Sequence, residues 1–501
     1  MQPIARRNFL SSSLAIAAGI GADAAVAQTT TAPAEQSKPA AAPPPGAAPK
    51  GAPEAPITHI LARYAASARA SDLPPNVRKE ATRTLLNWVG VAVGGSRQGA
   101  PNHAVAALKP FSGPPQAGLF GRSERFDVLH AALINGISSH VLDFDDTHLK
   151  TIIHPAGPVA SALTAWVEHK PTSGADFMNA LIIGCEIECR MGNSVYPEHY
   201  AKGWHITGTT GVFGSATAMG KLLGLDERHM VWAIGVAASQ PVGLKVQFGS
   251  DTKSFHPGRA AQNGMTSALL AQAGFTSSEV ALEGFDGWAQ AMSTRHDWNE
   301  VTGDLGSRYE IALNTYKPFA CGIVAHPAID AAIQLRNDNG LKPEQIKAIN
   351  LKVHPLVLNL MGKTEPHAGL EGKFSVFHAV AVATVTGRAG EQAFTDTAVN
   401  DPTVSTLRDK VSATIDPAIK ADQVDMTIVL NDGRTLHKFI EHAVGSQDHP
   451  MSDAQLEDKF VGLCEDIMPK DQTRRLMDLC WGVWDLKDAG DIARAAAVTS
   501  A

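Results

Sequence analysis

Apolar residues recur at three- and four-residue steps through most of the stretch from residue 57 to residue 313, and this spacing constrains the fold more than any other feature of the chain. A first stripe follows the helix-start signal Leu73-Pro74-Pro75 and comprises Val77, Ala81, Leu85, Trp88 and Ala92. Similar stripes occupy residues 178–191, 212–223 and 260–273. Several are rich in alanine and glycine, which predicts helices that approach each other closely in a buried bundle.

The spacing changes to alternation in the later part of the chain, which is typical of strands. Asn431-Asp432-Gly433 adds a hairpin turn signal, and helix-like segments lie at residues 329–335 and 374–386. The candidate strands carry their apolar positions at Ile349, Leu351 and Val353, at Val411, Ala413 and Ile415, and at Val424, Met426, Ile428 and Leu430. Residues 314–442 are therefore predicted to form a small α+β domain between helical parts at 57–313 and 443–501. The predicted fold class is mainly α with an α+β insertion.

The N-terminus has the order of a twin-arginine export signal. Arg6-Arg7 precedes an apolar run from Leu14 to Ala22 and the small-residue triplet Ala25-Val26-Ala27. We expect residues 1–27 to be removed and the mature protein to be periplasmic, without a stable membrane anchor, because the apolar run is too short to span a bilayer. The alternative is an amphipathic tail that stays attached. Residues 28–56 are rich in alanine, proline and threonine and predict an extended tether.

Charge and cysteine content exclude several classes of protein. A net charge of −7 gives no basic footprint, so nucleic acid is not an expected partner. Five cysteines leave at least one thiol free, and Cys185 and Cys189 are spaced as two core residues of one helix. Neither the cysteines nor a His-x-x-x-His pair supplies a ligand set, so no metal, iron–sulfur cluster or other cofactor is predicted.

One segment concentrates the ionisable side chains of an otherwise apolar region. His140-Val-Leu-Asp-Phe-Asp-Asp-Thr-His148, followed by His154-Pro155, contains three carboxylates and three imidazoles. Such groups are costly to bury without a purpose, and they exchange protons readily near neutral pH. The segment therefore predicts an acid/base site. The alternative is a capped helix end followed by a solvated acidic loop.

Further glycine-punctuated segments with histidine or lysine follow in order: Gly203-Trp-His205-Ile-Thr-Gly208, Lys253-Ser-Phe-His256-Pro-Gly258-Arg259, Lys317-Pro-Phe-Ala-Cys-Gly322 with His326-Pro327, and Gly372-Lys373-Phe-Ser375. With these motifs the chain resembles the MmgE/PrpD family from about Ile57 to the C-terminal region. Members of that family include 2-methylcitrate dehydratase, cis-aconitate decarboxylase and iminodisuccinate epimerase. The resemblance implies a large helical domain, a smaller α+β lid and a homodimer.

The resemblance also implies a cofactor-independent lyase or isomerase that removes a proton next to a carboxylate of a small di- or tricarboxylic acid. His154 and His205 are expected to transfer protons, although either has an alternative as a structural histidine. Asp143 and Thr147 match the acidic motif and are expected to orient a histidine or to hold a substrate group. Asp145 and Asp146 are expected to cap the next turn.

Cationic residues are expected to bind the substrate carboxylates. Lys253 is predicted to lie in a turn before a helix starting at Ala260, where helix amides help to stabilise an anion, with His256 and Arg259 beside it. The alternative for Lys253 is a solvated surface lysine. Lys317 and Lys373 come from the predicted lid and would add positive charge when it closes.

Two departures from the cis-aconitate decarboxylase pattern favour dehydration or epimerisation over decarboxylation. Gly322 stands where that pattern has a histidine, and His378 stands where it has a tyrosine. Two other functions stay open at this point. A magnesium-dependent prenyl-diphosphate enzyme would also use an Asp-rich helix end, although the spacing here differs, and an exported carboxylate-binding protein would need only the anchors.

Overall fold

The structure is a computed structural model, and it describes residues 55–498. The predicted export signal and nearly all of the predicted tether lie outside the described residues. Within residues 55–498, no helix is long and apolar enough to cross a membrane. The described residues form one compact unit.

The first helical part contains twelve helices and two small sheets. The helices are α1 (Ile57–Ser67), α2 (Pro75–Gly95), α3 (Gly99–Leu108), α4 (Val128–His140), α5 (Ala156–His169), α6 (Gly174–Val195), α7 (Glu198–Ala201), α8 (Ile206–Leu222), α9 (Glu227–Ala238), α10 (Asp251–Gln272), α11 (Trp288–Met292) and α12 (Asn299–Thr302). As the sequence predicts, α2 begins at Pro75, and the stripes at 178–191, 212–223 and 260–273 lie almost wholly within α6, α8 and α10.

Short strands correct the expectation that this part is all helical. Strands β1 (Ala117–Gly118) and β2 (Arg125–Phe126) pair with each other, and β3 (Asp146–His148) pairs antiparallel with β4 (Asn314–Tyr316). Strands of two or three residues are too short to produce a recognisable alternation, which is why the sequence did not predict them.

Small residues let the central helices pack closely. Helix α10 packs against α4, α8 and α9, and α8 packs against α6. Gly136 of α4 and Gly258 of α10 meet where a Cβ on Gly136 would lie 2.3 Å from the Cα of Gly258. The contact therefore requires glycine, which agrees with the predicted close packing of the bundle. Cys185 and Cys189 are buried free thiols of α6, as their spacing predicts.

The α+β segment, residues 314–442, contains a four-stranded sheet and six helices. The helices are α13 (His326–Asn339), α14 (Pro355–Met361), α15 (Gly369–Gly372), α16 (Val376–Thr386), α17 (Asp396–Val399) and α18 (Pro402–Arg408), and the strands of the sheet are β5 (Ile346–Val353), β6 (Val411–Ile415), β7 (Val424–Leu430) and β8 (Thr435–Ile440). The strand order is β6-β5-β7-β8, with β5 parallel to β6 and antiparallel to β7. The three predicted strands are confirmed, and Gly433 turns the hairpin between β7 and β8 at φ 88°.

The chain then returns to helix. Helices α19 (Asp453–Cys464), α20 (Lys470–Trp481) and α21 (Gly490–Ala496) end the described residues. Ser452 caps α19, because its side chain accepts a hydrogen bond from the backbone N–H of Gln455. Helix α19 packs against α2, so the last part of the chain rejoins the first helical part.

Two large apolar clusters hold these parts together. One joins α2, α4, α5 and α6 to the C-terminal helices, and the other fills the space between the four-stranded sheet and its helices. Leu142 and Phe144, which follow α4, belong to the second cluster. The acidic loop after α4 is therefore anchored in the core of the α+β segment, and its remaining side chains lie at the junction of the two parts.

Candidate active site

A cavity of about 70 Å³ lies at this junction. Its ionisable lining residues are Asp143, His154, His205, Lys253 and Lys317, and Thr147 also lines it. Six of the nine site residues predicted from the sequence are therefore brought together around one small cavity. The cluster is buried, which excludes the alternative of a solvated acidic loop.

The local backbone explains how Asp143 reaches the cavity. Helix α4 ends at His140, and Asp143 adopts a left-handed conformation with φ 52° between the buried side chains of Leu142 and Phe144. A left-handed conformation is uncommon for residues other than glycine, although aspartate tolerates it better than most. Strain of this kind is concentrated at functional sites, and here it places a carboxylate between two lysines.

Lys253 and Lys317 both contact Asp143. Lys317 Nζ donates to the backbone carbonyl of Asp143 at 2.9 Å and to Oδ1 at 3.1 Å, and Lys253 Nζ forms an ion pair with the same Oδ1. Pairing of β3 with β4 brings Lys317, just after β4, beside the acidic loop. Burial alone would raise the pKa of Asp143, but the two ammonium groups hold the pKa well below its usual value. Asp143 is therefore ionised.

The structure corrects the predicted turn around Lys253. Helix α10 already begins at Asp251, so Lys253 lies in its first turn, and Pro257 and Gly258 lie inside the helix. The proline removes one backbone donor without ending the helix, and the glycine serves the close contact with α4. Only 12% of the Lys253 side chain is exposed, which excludes the surface-lysine alternative.

The hydrogen bonds of His154 determine its tautomer. Its Nδ1 lies 2.7 Å from the backbone carbonyl of Asp146, and a carbonyl oxygen can only accept. Nδ1 therefore carries the proton and Nε2 keeps its lone pair. Thr147 Oγ1 and Asp145 Oδ1 each lie 3.4 Å from the same Nδ1. Burial lowers the pKa of His154 to about 3, so the imidazole is neutral at pH 7.

Asp145 and His140 form part of the site that the sequence did not assign to catalysis. Asp145 Oδ2 accepts a hydrogen bond of 2.6 Å from Nδ1 of His140, so Asp145 does not cap the next turn as expected. The two imidazoles beside it, of His140 and His154, hold the pKa of Asp145 below its usual value despite its burial. The five-residue separation across a helix end carries no periodic signal, which explains the omission. Asp146 does cap the next turn, because its Oδ2 accepts from the backbone N–H of Ala156 at 3.1 Å.

His205 and His256 form a second imidazole pair. Their Nδ1 atoms lie 2.9 Å apart, which requires one of the two atoms to carry a proton and the other to accept it. The His205 ring stacks on that of His140 at a centroid distance of 5.6 Å. Burial lowers the pKa of His205 well below its usual value and that of His256 to about 4. His256 lies behind His205 and is not among the residues that line the cavity.

Two other predicted anchors lie away from the cavity. Arg259 is exposed on α10 and donates to Gln262, because its position on the helix faces away from the cavity. Lys373 is buried, but its Nζ donates to the backbone carbonyl of Leu142 and to Glu391 at 2.7 Å. Its charge is already paired, so Lys373 fastens the α+β segment to the acidic loop.

Lys459 of α19 is a further, half-buried lysine near the site, and no motif in the sequence indicated it. Its Nζ donates to Oδ1 of Asn87 at 2.8 Å, to the carbonyl of Phe144 at 2.6 Å and to the carbonyl of Lys317 at 2.8 Å. Burial lowers its pKa to about 7. Lys459 therefore ties the acidic loop to the segment that carries Lys317.

Three side chains lie close enough to hold a metal ion, although the sequence predicts no ligand set. Nitrogen or oxygen atoms of His140, Asp145 and His154 lie within 4.8 Å of one another. Nδ1 of each imidazole is already engaged in a hydrogen bond, so an ion would bind the histidines through Nε2. Oδ1 of Asp145, which has no hydrogen-bond partner among the described residues, would be its carboxylate ligand.

The two departures noted in the sequence have different structural settings. Gly322 lines the cavity, and a Cβ at this position would lie 2.4 Å from Sδ of Met361. A histidine cannot be accommodated there unless Met361 moves. His378 is buried in α16 with its Nε2 2.8 Å from the carbonyl of Ala393, and it does not line the cavity. Only the departure at Gly322 therefore alters the site directly.

Comparison with known proteins identifies relatives over most of the chain. The model of the MmgE/PrpD N-terminal domain matches residues 59–301, and that of the MmgE/PrpD C-terminal domain matches residues 319–482. A cis-aconitate decarboxylase from Aspergillus terreus is 26% identical over 464 residues, which cover 86% of this chain and 94% of that protein. The cis-aconitate decarboxylase of Mus musculus is 25% identical, covering 87% and 93%, and that of Homo sapiens is 26% identical, covering 86% and 92%.

Proposed function

The chain belongs to the MmgE/PrpD family, and from this premise we propose that it is a cofactor-independent lyase or isomerase acting on a small carboxylic acid. The proposed reaction begins with removal of a proton from the carbon next to a carboxylate. The observation that carries this proposal is the neutral His154, whose Nδ1 is committed to the Asp146 carbonyl. Its remaining nitrogen is a proton acceptor at the wall of a small cavity.

His154 has the tautomer and the neighbouring carboxylate that a general base needs, and the negative charge of a bound substrate raises its low pKa. As Nε2 takes the substrate proton, the ring becomes positively charged. The ionised Asp145, 3.4 Å from Nδ1, stabilises that charge. The Asp146 carbonyl keeps the ring from turning. His205, backed by His256, is proposed to take up a proton from water and to pass it to the same carbon in an epimerisation or to a departing hydroxyl in a dehydration, while the proton held by His154 returns to the solvent.

Lys253 and Lys317 are proposed to bind the substrate carboxylate. Loss of the α-proton shifts negative charge onto that carboxylate, and ammonium groups already in place stabilise the charge as it develops. Both lysines line the cavity and are held by Asp143, so they need little reorganisation. Thr147, which also lines the cavity, is proposed to hold a substrate oxygen.

Decarboxylation is a second candidate, because the relatives described above are named cis-aconitate decarboxylases. Their identity to this chain is close to 25%. Identity at this level supports membership of the same family but does not establish that the same reaction is catalysed. Met361 fills the space beside Gly322 where the decarboxylase pattern has a histidine. We therefore favour dehydration or epimerisation, and a decarboxylase is the outcome to be tested against it.

A panel of small carboxylic acids in deuterated buffer tests the proposal. An enzyme of the proposed type should give new products, or deuterium at the α-carbon, in the proton NMR spectrum, and His154→Gln should abolish both. Release of carbon dioxide with loss of one carboxylate would establish decarboxylation instead. Recovery of every acid unchanged and undeuterated would leave only a binding protein and would refute the enzymatic proposal.

A further inference from the structure

Two parts of the cavity lining, here called the charged wall and the apolar wall, differ in chemistry. The charged wall consists of Asp143, Lys253 and Lys317. The apolar wall comes from the α+β segment and consists of Ile323, Val324, Leu360, Met361 and Phe374. Apart from Lys317, every lining residue from that segment is either one of these five or Gly322.

The charges at the cavity balance only one substrate carboxylate. Among the residues that line the cavity, Asp143 offsets one of the two ammonium groups, which leaves a single positive charge for a ligand. The ionised Asp145 lies behind His154 and adds no further cation. The nearby Lys373 is paired with Glu391, and all three donors of Lys459 are used by Asn87 and two backbone carbonyls.

The histidines add no further charge to the cavity. The pKa values of His154 and His205 are lowered by burial, so both rings are neutral near pH 7. A second or third carboxylate would therefore be buried without a cation to pair with it, which is strongly unfavourable.

The apolar wall leaves no position for another polar anchor. Met361 is fully buried, and its sulfur occupies the space that a side chain at residue 322 would need. Leu360 and Phe374 are half-buried, so they present apolar surface to whatever fills the cavity. A methyl or other alkyl group gains free energy from such a wall, whereas a carboxylate loses its hydration there.

We propose that the substrate presents one carboxylate to Lys253 and Lys317 and an alkyl group to the apolar wall, in place of the additional carboxylates of citrate-like acids. This inference rests on the proposed function for the identity of the site, and it narrows the substrate class within it. The bound acid carries its reacting carbon next to the anchored carboxylate, within reach of His154.

Three unreactive acids with the same carbon skeleton provide the test. Methyl groups replace carboxylates stepwise from propane-1,2,3-tricarboxylate to 3-methylpentanedioate and then to 3-methylpentanoate. Calorimetry at pH 7 and constant ionic strength gives the dissociation constants, which should fall along this series. We expect 3-methylpentanoate to bind at least about tenfold more tightly than the tricarboxylate, because a tenfold ratio corresponds to one modest interaction. Equal binding, or tighter binding of the tricarboxylate, would overturn the inference.

A variant of the apolar wall provides a second test of the same inference. Leu360→Lys adds one cation at a half-buried position and should shift preference by about tenfold toward 3-methylpentanedioate, while Leu360→Met is the matched control and should keep the parent order. An unchanged order in a folded Leu360→Lys variant would also count against the inference. If none of the three acids binds, the proposed carboxylate site itself is refuted. If the protein turns over other carboxylic acids but binds these three in the opposite order, only the narrower inference is refuted.

Discussion

Nζ of Lys317 lies 2.9 Å from the backbone carbonyl oxygen of Asp143 and 3.1 Å from its Oδ1. Asp143, which adopts a left-handed backbone conformation, therefore accepts two hydrogen bonds from one ammonium group. The same Oδ1 pairs with Lys253. Asp143 thus sets both the position and the net charge of the two lysines. This arrangement makes the charge of Asp143 a sensitive test of the site.

Asp143→Asn removes one negative charge while keeping the size of the side chain. The cavity then holds a second uncompensated ammonium group, so binding of 3-methylpentanedioate should strengthen by about tenfold relative to 3-methylpentanoate, as expected for one additional partly screened ion pair. Turnover should fall, because Lys317 and Lys253 lose their common partner. Calorimetry with both acids measures the ratio, and an unchanged ratio in the folded variant would show that Asp143 does not control the charge of the cavity.

His154→Gln should lower kcat by at least about a hundredfold, the lower end for loss of a general base. Glutamine is a polar side chain of similar size, so the fold should be kept, but no nitrogen lone pair remains to accept a proton. His140→Gln removes an imidazole that contacts Asp145 and does not line the cavity. It should therefore cost less than His154→Gln. Equal losses in the two variants would place the base elsewhere.

The sequence predicted the parts of the fold whose signals are periodic. Alternation of apolar residues predicted strands β5 and β7 and which of their side chains face the core, because every second side chain of a half-buried strand must be apolar. The stripe after Pro74 gave α2. Strands β3 and β4 were not predicted, because three residues do not repeat a pattern, yet their pairing is what brings Lys317 beside Asp143.

The candidate site was predicted from family motifs and from the chemistry of single residues. The motifs included a residue that lies away from the cavity, and neither approach identified Lys459. The cluster around Asp143, His154, His205 and Lys253 was predicted correctly to come together. Arg259 was included because it is the last residue of the Lys253 motif, but its side chain leaves α10 in a direction away from the cavity. Lys459 was missed because a half-buried lysine held by backbone carbonyls has no sequence signal before the fold is known.

Lys459→Met should disturb the site without touching the substrate. The methionine retains much of the packing of the lysine stem over Phe144 but releases the carbonyls of Phe144 and Lys317. We expect kcat/KM to fall by about tenfold or more, since small displacements of catalytic groups have large effects on rate. The fall should appear mainly in kcat, because Lys459 does not contact the cavity.

The exposed Lys470 at the start of α20 supplies a matched control for Lys459. Lys470→Met removes the same charge from the surface and should keep the parent kinetics. A loss in Lys459→Met confined to thermal stability, with kcat and KM unchanged, would make Lys459 a purely structural residue.

Acid should destabilise the protein partly through His378, which lies outside the cavity. Its Nε2 bonds the carbonyl of Ala393, its Nδ1 is buried without a partner, and burial lowers its pKa to about 4. In the unfolded chain an imidazole takes up its proton near pH 6.5, so between about pH 6.5 and pH 4 the unfolded state binds more protons than the folded state. The free energy of unfolding must therefore decrease as pH falls through this window.

His378→Gln isolates that contribution, because it removes one titrating group and keeps a side chain able to donate to the Ala393 carbonyl. The parent should lose up to about 1.4 kcal/mol per pH unit more than the variant between pH 6.5 and pH 4, the value for one proton. Urea unfolding at pH 7, 6 and 5 gives the two slopes, and His449→Gln, at an exposed position whose surroundings change little on unfolding, should follow the parent curve. Parallel slopes for the parent and His378→Gln would mean that His378 takes up its proton in the folded state, which would require the helix α16 around it to open to water.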